Sequence, residues 1–130
     1  MDLKLLRNAV ESLMEGFEAP LTTKIEDDTL TVSFEANGLY HTFQHSNGLN
    51  YYLIFGPKME RSLEVYEAIN AFNSAVIEVK ASLSDDDTLV LDIVFGCEDV
   101  ETIMANLNFA LDNIFGENGI DLLVDIIELS

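Results

Sequence analysis

A chain of 130 residues has the usual size of one domain, and 48% hydrophobic residues with only seven Gly and two Pro predict a globular fold. The formal charge of −18 repels phosphate backbones and anionic lipids, so we expect no direct binding to nucleic acid or membranes. No apolar run reaches the ~18–20 residues of a membrane helix, and the N-terminus lacks the layout of a signal peptide. With Cys97 as the single cysteine, these features predict a cytoplasmic protein.

The first predicted element is an amphipathic helix over Asp2–Phe17. Its apolar residues recur at steps of three and four: Leu3, Leu6, Val10, Leu13, Met14 and Phe17. Asp2 is suited to cap the N-terminus of this helix, and Gly16 and Pro20 end it near Glu18.

Four short strands joined by tight turns follow this helix. They are predicted at Leu21–Glu26, Thr29–Ala36, Leu39–His45 and Leu49–Phe55. Asn37-Gly38 indicates a hairpin, because both residues tolerate the positive φ that a type I′ turn requires. Gly56-Pro57 is expected to end the last strand, and the nearly continuous apolar run Tyr51–Phe55 predicts a strand covered on both faces.

The second half of the chain is predicted to contain two helices around a pair of strands. The helices lie at about Lys58–Phe72 and Asp99–Phe115, and the strands at Ala75–Leu83 and Thr88–Phe95. Both strands alternate apolar and polar residues, as half-buried antiparallel strands do. The last segment, Ile120–Leu129, has seven apolar residues in ten and fits a helix or a strand equally. It must pack on its own domain or on a second subunit.

The grouping of strands apart from helices favours the α+β class over a parallel α/β sheet. The sequence therefore predicts a single α+β domain over residues 1–130. Its antiparallel sheet of up to six strands would be packed by three amphipathic helices, in the order α-β-β-β-β-α-β-β-α.

The end of the second helix and the elements after it carry a resemblance to a known family. Asn70, Phe72 and Asn73 precede a strand, the turn Asp85–Asp87, another strand and an amphipathic helix. This order resembles the YbjN-like family of candidate bacterial sensory transduction regulators, which often has Trp where Phe72 stands and commonly Gly where Asp87 stands. The resemblance implies a fold similar to that of type III secretion chaperones.

The two histidines and the acidic run are the candidate metal ligands of the sequence. In a strand, His41 and His45 lie about 13 Å apart, too far to share an ion, so exposed histidines are predicted. The run Asp85–Asp87 lacks the ligand spacing of a calcium loop. We interpret it as a solvated hairpin turn, with weak divalent-cation binding as the alternative.

No motif indicates catalysis. Cys97 precedes a helix start, but its acidic neighbours disfavour a thiolate, so a small packed residue is predicted. Asn70 and Asn73 are interpreted as a structural helix stop, with ligand-contacting amides as the alternative. No catalytic, metal-binding or cofactor-binding residue is assigned, and the chain is predicted not to be an enzyme.

The favoured hypothesis is a non-enzymatic protein-binding module, chaperone-like or a regulatory adaptor, that forms a homodimer. By resemblance to the secretion chaperones, the second helix or the strands after it would form the dimer contact, together with the C-terminal segment. The candidate contacts with a partner or a second copy are Tyr66, Phe72, Val76, Ile120, Leu123, Val124 and Ile127.

Two other classes of function stay open. A small-molecule-binding domain would place a pocket between sheet and helices, lined by Tyr40, Tyr51, Tyr52 and Phe55. These aromatic residues could equally be ordinary core or surface residues of strands. An acidic mimic of nucleic acid is the third hypothesis, although the carboxylates are scattered and do not form two rows.

Overall fold

The computed structural model describes residues 1–130 as one antiparallel sheet with helices packed on one face. The helices are α1 (Leu3–Met14), α2 (Leu63–Ala75), α3 (Val100–Phe115) and α4 (Glu117–Ile127), with a 3-10 turn at Glu15–Phe17. The strands are β1 (Thr22–Glu26), β2 (Thr29–Ala36), β3 (Leu39–Ser46), β4 (Leu49–Lys58), β5 (Lys80–Leu83) and β6 (Thr88–Gly96). The α+β class and the antiparallel sheet are confirmed.

The order of the strands across the sheet is β1-β2-β3-β4-β6-β5, so β5 is an edge strand beside the last strand of the chain. The first four strands form a meander of tight hairpins. Both central residues have positive φ in the turns Asp27-Asp28, Asn37-Gly38 and Asn47-Gly48. These turns give the twist that two-residue hairpins need, and the Asn37-Gly38 hairpin is confirmed.

Strand β4 runs through Gly56 and Pro57 to Lys58, so the prediction that these residues end the strand is wrong. The pairing with β6 is interrupted between Phe55 and Lys58 by a bulge or irregularity. A proline is tolerated at such a point, because its missing N–H removes no regular ladder hydrogen bond. Helix α2 therefore starts later than predicted, at Leu63, where Ser62 Oγ accepts a hydrogen bond from the Val65 N–H at 3.2 Å.

Ile120–Leu129 lies mainly in the fourth helix, so the prediction of three helices is wrong. Leu123 and Ile126 of α4 are 1% and 0% exposed and belong to the core of the same chain. The apolar C-terminal segment packs on its own domain through α2 and α3.

The two faces of the sheet differ in what covers them. The helices cover the inner face, and 27 buried hydrophobic residues form one core cluster there. The strand residues that alternate with the core residues point to the outer face. Only Ser33 among these outward-facing residues is buried, so no helix covers this face. The prediction that Tyr51–Phe55 is covered on both faces is wrong, because Tyr51, Leu53 and Phe55 keep intermediate exposure on the outer face. No helix has the length and apolar composition that a membrane crossing requires.

Strand β5 begins at Lys80 and not at Ala75, because α2 continues to Ala75. The Asn73 side chain near the end of α2 reaches the edge of β5. Its Nδ2 donates to the Ala81 carbonyl at 3.0 Å, and its Oδ1 accepts from the Ala81 N–H at 2.7 Å. These bonds satisfy the backbone groups of the edge strand that would otherwise be open to another chain. The prediction that Asn70 and Asn73 stop the helix is wrong, because both lie within α2, and Asn73 instead ties the helix to β5.

Replacing Asn73 with alanine should lower the free energy of unfolding by about 1–2 kcal/mol, because two hydrogen bonds are lost. Urea denaturation followed by circular dichroism measures this change. Asn70→Ala is the matched control on the same helix, since the Asn70 side chain makes no hydrogen bond and is exposed. We expect the control to stay within about 0.5 kcal/mol of the wild type. Equal effects of both substitutions would contradict the role given to Asn73.

Candidate functional site

The four aromatic residues predicted to line one pocket are divided between the two faces of the sheet. Tyr52 is fully buried on the inner face. Tyr40, Tyr51 and Phe55 lie on the outer face, where Tyr40 pairs with Phe55 across β3 and β4. Alternation along β4 separates Tyr52 from its neighbours, so the predicted pocket does not form.

His41 and His45 are buried, so the prediction of exposed histidines is wrong. They are 1% and 2% exposed and point into the inner face between the apolar side chains of β3. Each has a hydrogen-bond partner on β4: His41 Nδ1 lies 2.8 Å from Tyr52 Oη, and His45 Nδ1 lies 2.7 Å from Asn50 Oδ1. A neutral imidazole with such a partner can be buried at low cost. Both histidines alternate in β3 with Leu39 and Phe43 on the same face, and this alternation is the sequence signal that places them inside.

His41 stands in an aromatic cluster that joins the 3-10 turn, the sheet and α3. Its ring stacks on Phe34 at 4.4 Å between centroids, and Phe17 and Phe115 lie at 4.8 and 5.9 Å. Burial in this apolar surrounding lowers the pKa of His41 from 6.5 to about 4. The same burial raises the pKa of Tyr52 above its usual value of 10.0. Both groups are therefore neutral at pH 7.

A cavity of about 220 Å³, which we call the His41 cavity, opens beside this cluster. Ten residues line it, eight of them hydrophobic, and none carries a charge at neutral pH. Helix α4 supplies one wall of the cavity with Ile120, Leu123, Val124 and Ile127. The other walls come from the 3-10 turn, the β2–β3 hairpin and the end of α3. The cavity is thus an apolar site with His41 at its wall.

The outer face of the sheet carries a second apolar feature, which we call the outer apolar patch. It consists of seven residues that are neighbours across β3, β4 and β6: Tyr40, Leu49, Tyr51, Leu53, Phe55, Val90 and Val94. Tyr40 and Leu49 are each 44% exposed, and Val94 is 52% exposed. Isolated apolar residues are normal on a surface, whereas apolar residues grouped on one face are a feature of surfaces that bind other proteins.

The outer face is nearly neutral, unlike the rest of the molecule. Its strand residues include three of the six basic residues and three of the 24 acidic ones. Lys24 Nζ lies 2.6 Å from Glu26 Oε2, and Lys80 stands opposite Asp92 in the β5–β6 register. Glu35 stands opposite Tyr40 and has no basic neighbour. A chain with a formal charge of −18 therefore has one face whose strand residues have a formal charge of zero.

The structure does not bring the predicted contact residues together on one exposed surface. Phe72, Val76 and Leu123 are 0%, 5% and 1% exposed and belong to the core. Ile120 and Ile127 are partly buried and line the His41 cavity. Tyr66 on α2 and Val124 on α4 are each 41% exposed and remain available to a partner.

The acidic turn between β5 and β6 is held by protein groups. Arg61 Nε lies 2.5 Å from Asp87 Oδ1, and Arg61 Nη2 donates to the Ser84 carbonyl at 2.8 Å. Asp87 has a φ of 67°, a conformation that favours glycine, which is the residue the YbjN-like family commonly has there. No group of three or more His, Cys, Asp or Glu side chains is arranged to hold a metal ion. Cys97 is partly buried, and its Sγ accepts a weak hydrogen bond from the Asp99 N–H at 3.4 Å.

Comparison with known proteins finds similarity in structure and not in sequence. No protein-family model matches the chain, and no curated protein matches its sequence. Among solved structures, the chain is similar to YbjN from E. coli, described as a candidate transcription regulator, with a TM-score of 0.58 and 14% identity. The alignment covers 97% of this chain and 90% of YbjN. Similarity at this level shows the fold alone: the chain has a distantly YbjN-like fold.

Proposed function

We propose that this chain is a non-enzymatic protein-binding module that works as a homodimer, formed when the outer faces of two copies pack against each other. The observation that carries the proposal is the outer apolar patch, which no element of the chain covers. Packing of two sheets face to face at about 10 Å is a common arrangement that buries such patches. The helices of both copies would then point outward, where they could meet other proteins.

The area of the outer face suits a dimer. Six strands spaced by ~4.8 Å are ~29 Å wide, and eight residues at ~3.3 Å per residue are ~26 Å long. The footprint of about 750 Å² is close to the ~800 Å² per partner that a specific interface of standard size buries.

The charge of the outer face favours a second copy over a basic partner. A basic protein would be attracted to the strongly acidic surfaces elsewhere on the molecule and not to a face with a formal charge of zero. Two copies of a chain with 24 acidic residues repel each other, and the neutral face is where they can approach with the least repulsion. A two-fold axis through β4 would place the outer apolar patches of both copies together.

We further propose that the dimer acts in the cytoplasm as a chaperone-like protein or a regulatory adaptor. The similarity in fold to YbjN, a candidate transcription regulator, supports the regulatory form of this proposal. The resemblance to type III secretion chaperones supports the chaperone-like form. The charge of −18 favours protein partners over nucleic acid or anionic lipid.

Sedimentation equilibrium on the wild type and three variants tests the dimer. Leu53→Glu places a carboxylate in the centre of the outer apolar patch of each copy, and we expect it to weaken dimerisation at least tenfold. Leu63→Glu is the matched control, because Leu63 is 73% exposed at the start of α2, away from the outer face. Val124→Glu tests the predicted contact through α4. Loss of the dimer in Val124→Glu but not in Leu53→Glu would contradict an interface on the outer face.

Ionic strength gives a second test with the same instrument. Because salt screens the repulsion between the copies, dimerisation should strengthen several-fold between about 20 mM and about 500 mM NaCl. A wild type that is monomeric under both conditions would contradict the homodimer and leave the outer apolar patch to a different protein.

A further inference from the structure

One ring nitrogen of the buried His41 has no partner within the chain. Nδ1 pairs with Tyr52 Oη, and Nε2 makes no hydrogen bond. Every fully enclosed side-chain nitrogen or oxygen in this structure has a hydrogen-bond partner. Because Nε2 of His41 has none, it is not fully enclosed and borders open space. His41 is only 1% exposed and lines the His41 cavity, so that cavity is the open space beside it.

We propose that the His41 cavity binds a small, neutral, mostly apolar molecule that accepts one hydrogen bond from Nε2 of His41. Aromatic ketones, aldehydes and related carbonyl compounds have this chemistry. This site is separate from the outer face, because its lining residues come from the helices, the inner face and the β2–β3 turn.

The hydrogen-bond role of Nε2 follows from its neighbour Tyr52. The buried Tyr52 hydroxyl is a strong donor, and His41 Nδ1 at 2.8 Å is its only partner. If Nδ1 accepts this proton, the neutral imidazole carries its own proton on Nε2. The nitrogen that faces the cavity is therefore a donor, and the ligand must supply an acceptor.

The volume of the cavity limits the size of the ligand. A dry apolar cavity of about 150 Å³ holds benzene, with its six carbon atoms. By proportion, about 220 Å³ accommodates about nine non-hydrogen atoms. A single ring with a short polar substituent meets this limit, whereas a lipid chain or a nucleotide does not.

The surroundings of the cavity select against charge. None of its ten lining residues is ionised at neutral pH, so a carboxylate or an ammonium group would enter without an opposite charge beside it and lose its hydration. The negative charge of the whole chain adds repulsion against anions. The ligand is therefore neutral.

Three probes of equal size, each with nine non-hydrogen atoms, test this proposal on the full chain. Acetophenone is neutral with one acceptor, α-methylstyrene replaces its oxygen with carbon, and benzoate is an anion. We expect acetophenone to bind about threefold to tenfold more tightly than α-methylstyrene, which is the range of one net hydrogen bond. Benzoate should not bind. Titration followed by NMR of the methyl groups of Leu123 and Ile127 locates the binding site.

Two variants assign the selectivity and the site. His41→Phe should abolish the preference for acetophenone over α-methylstyrene. Ala36→Leu adds three carbon atoms to the lining of the cavity and should abolish binding of both probes. If Ala36→Leu does not fold, Val124→Phe fills the cavity from the partly exposed side of α4.

Three results would overturn the proposal. The first is the absence of shift changes at Leu123 and Ile127 in the wild type at millimolar acetophenone. The second is equal affinity for acetophenone and α-methylstyrene. The third is a ¹⁵N spectrum that places the proton of His41 on Nδ1, since Nε2 would then be an acceptor.

Discussion

Replacing Gly119 with alanine should lower the free energy of unfolding by about 3 kcal/mol, the upper range for overpacking a core. A Cβ atom at this position would lie 1.9 Å from the Asn113 carbonyl oxygen and 2.6 Å from that of Ile114. Both oxygens belong to the backbone of α3 and cannot rotate away. Helix α4 would have to shift, and Leu123 and Ile126 would leave the core with it.

Urea denaturation of the purified variant measures this effect, and Gly16→Ala is its matched control. Gly16 also stands near a helix end, but a Cβ there would have no neighbour within 4 Å. The control should unfold within about 0.5 kcal/mol of the wild type. Because α4 forms one wall of the His41 cavity, Gly119→Ala should also weaken acetophenone binding. A Gly119→Ala protein as stable as the control would show that α4 does not pack on α3 as described.

The second large effect is a loss of stability with acid that comes from His41. Its pKa is lowered by burial to about 4 in the folded chain, against 6.5 in the unfolded chain. Between these values the unfolded state binds a proton that the folded state does not, so stability rises with pH in this window. The stability that His41 contributes is fully present above pH 6.5 and is lost as the pH falls towards 4. Since each pKa unit corresponds to 1.36 kcal/mol, the loss is about 3 kcal/mol.

Denaturation curves at several pH values from 7.5 to 4 measure this slope in three proteins. His41→Phe should lack this contribution, so its stability should fall less than that of the wild type. Tyr52→Phe also loses the hydrogen bond to His41 but keeps the titrating imidazole, so it should retain the slope. The carboxylates titrate in all three proteins, and their contribution cancels in the comparison. Parallel curves for the wild type and His41→Phe would contradict the lowered pKa.

Much of the N-terminal half could be predicted because its signals are local. The apolar stripe of α1, the Asn37-Gly38 turn and the alternation in β2 each depend on neighbours in the sequence. The buried histidines were missed, although the same alternation places them on the inner face. A polar residue type favours exposure at His41 and His45, but register decides which face a strand residue occupies.

The boundaries around α2 were wrong because contacts between distant segments set them. Pro57 remains in β4 because the ladder with β6 is already interrupted there, and β5 begins at Lys80 beside Asn73 of α2. No pattern near Pro57 contains information on β6. The contact residues on α2 follow from the resemblance to secretion chaperones, and those of the C-terminal segment from its apolar character. Apolar residues also suit the core, and Phe72 and Leu123 lie there.

The sequence by itself determined the α+β class, the hairpins of the meander and the acidic character, because periodicity, turn chemistry and charge are properties of neighbouring residues and composition. Only the tertiary structure decided that Ile120–Leu129 packs as a helix on its own domain, which the absence of a side chain at Gly119 allows. It also decided that the outer apolar patch is uncovered and that His41 faces a cavity. Both features join residues of separate elements, and their positions follow from how the sheet and helices pack in space.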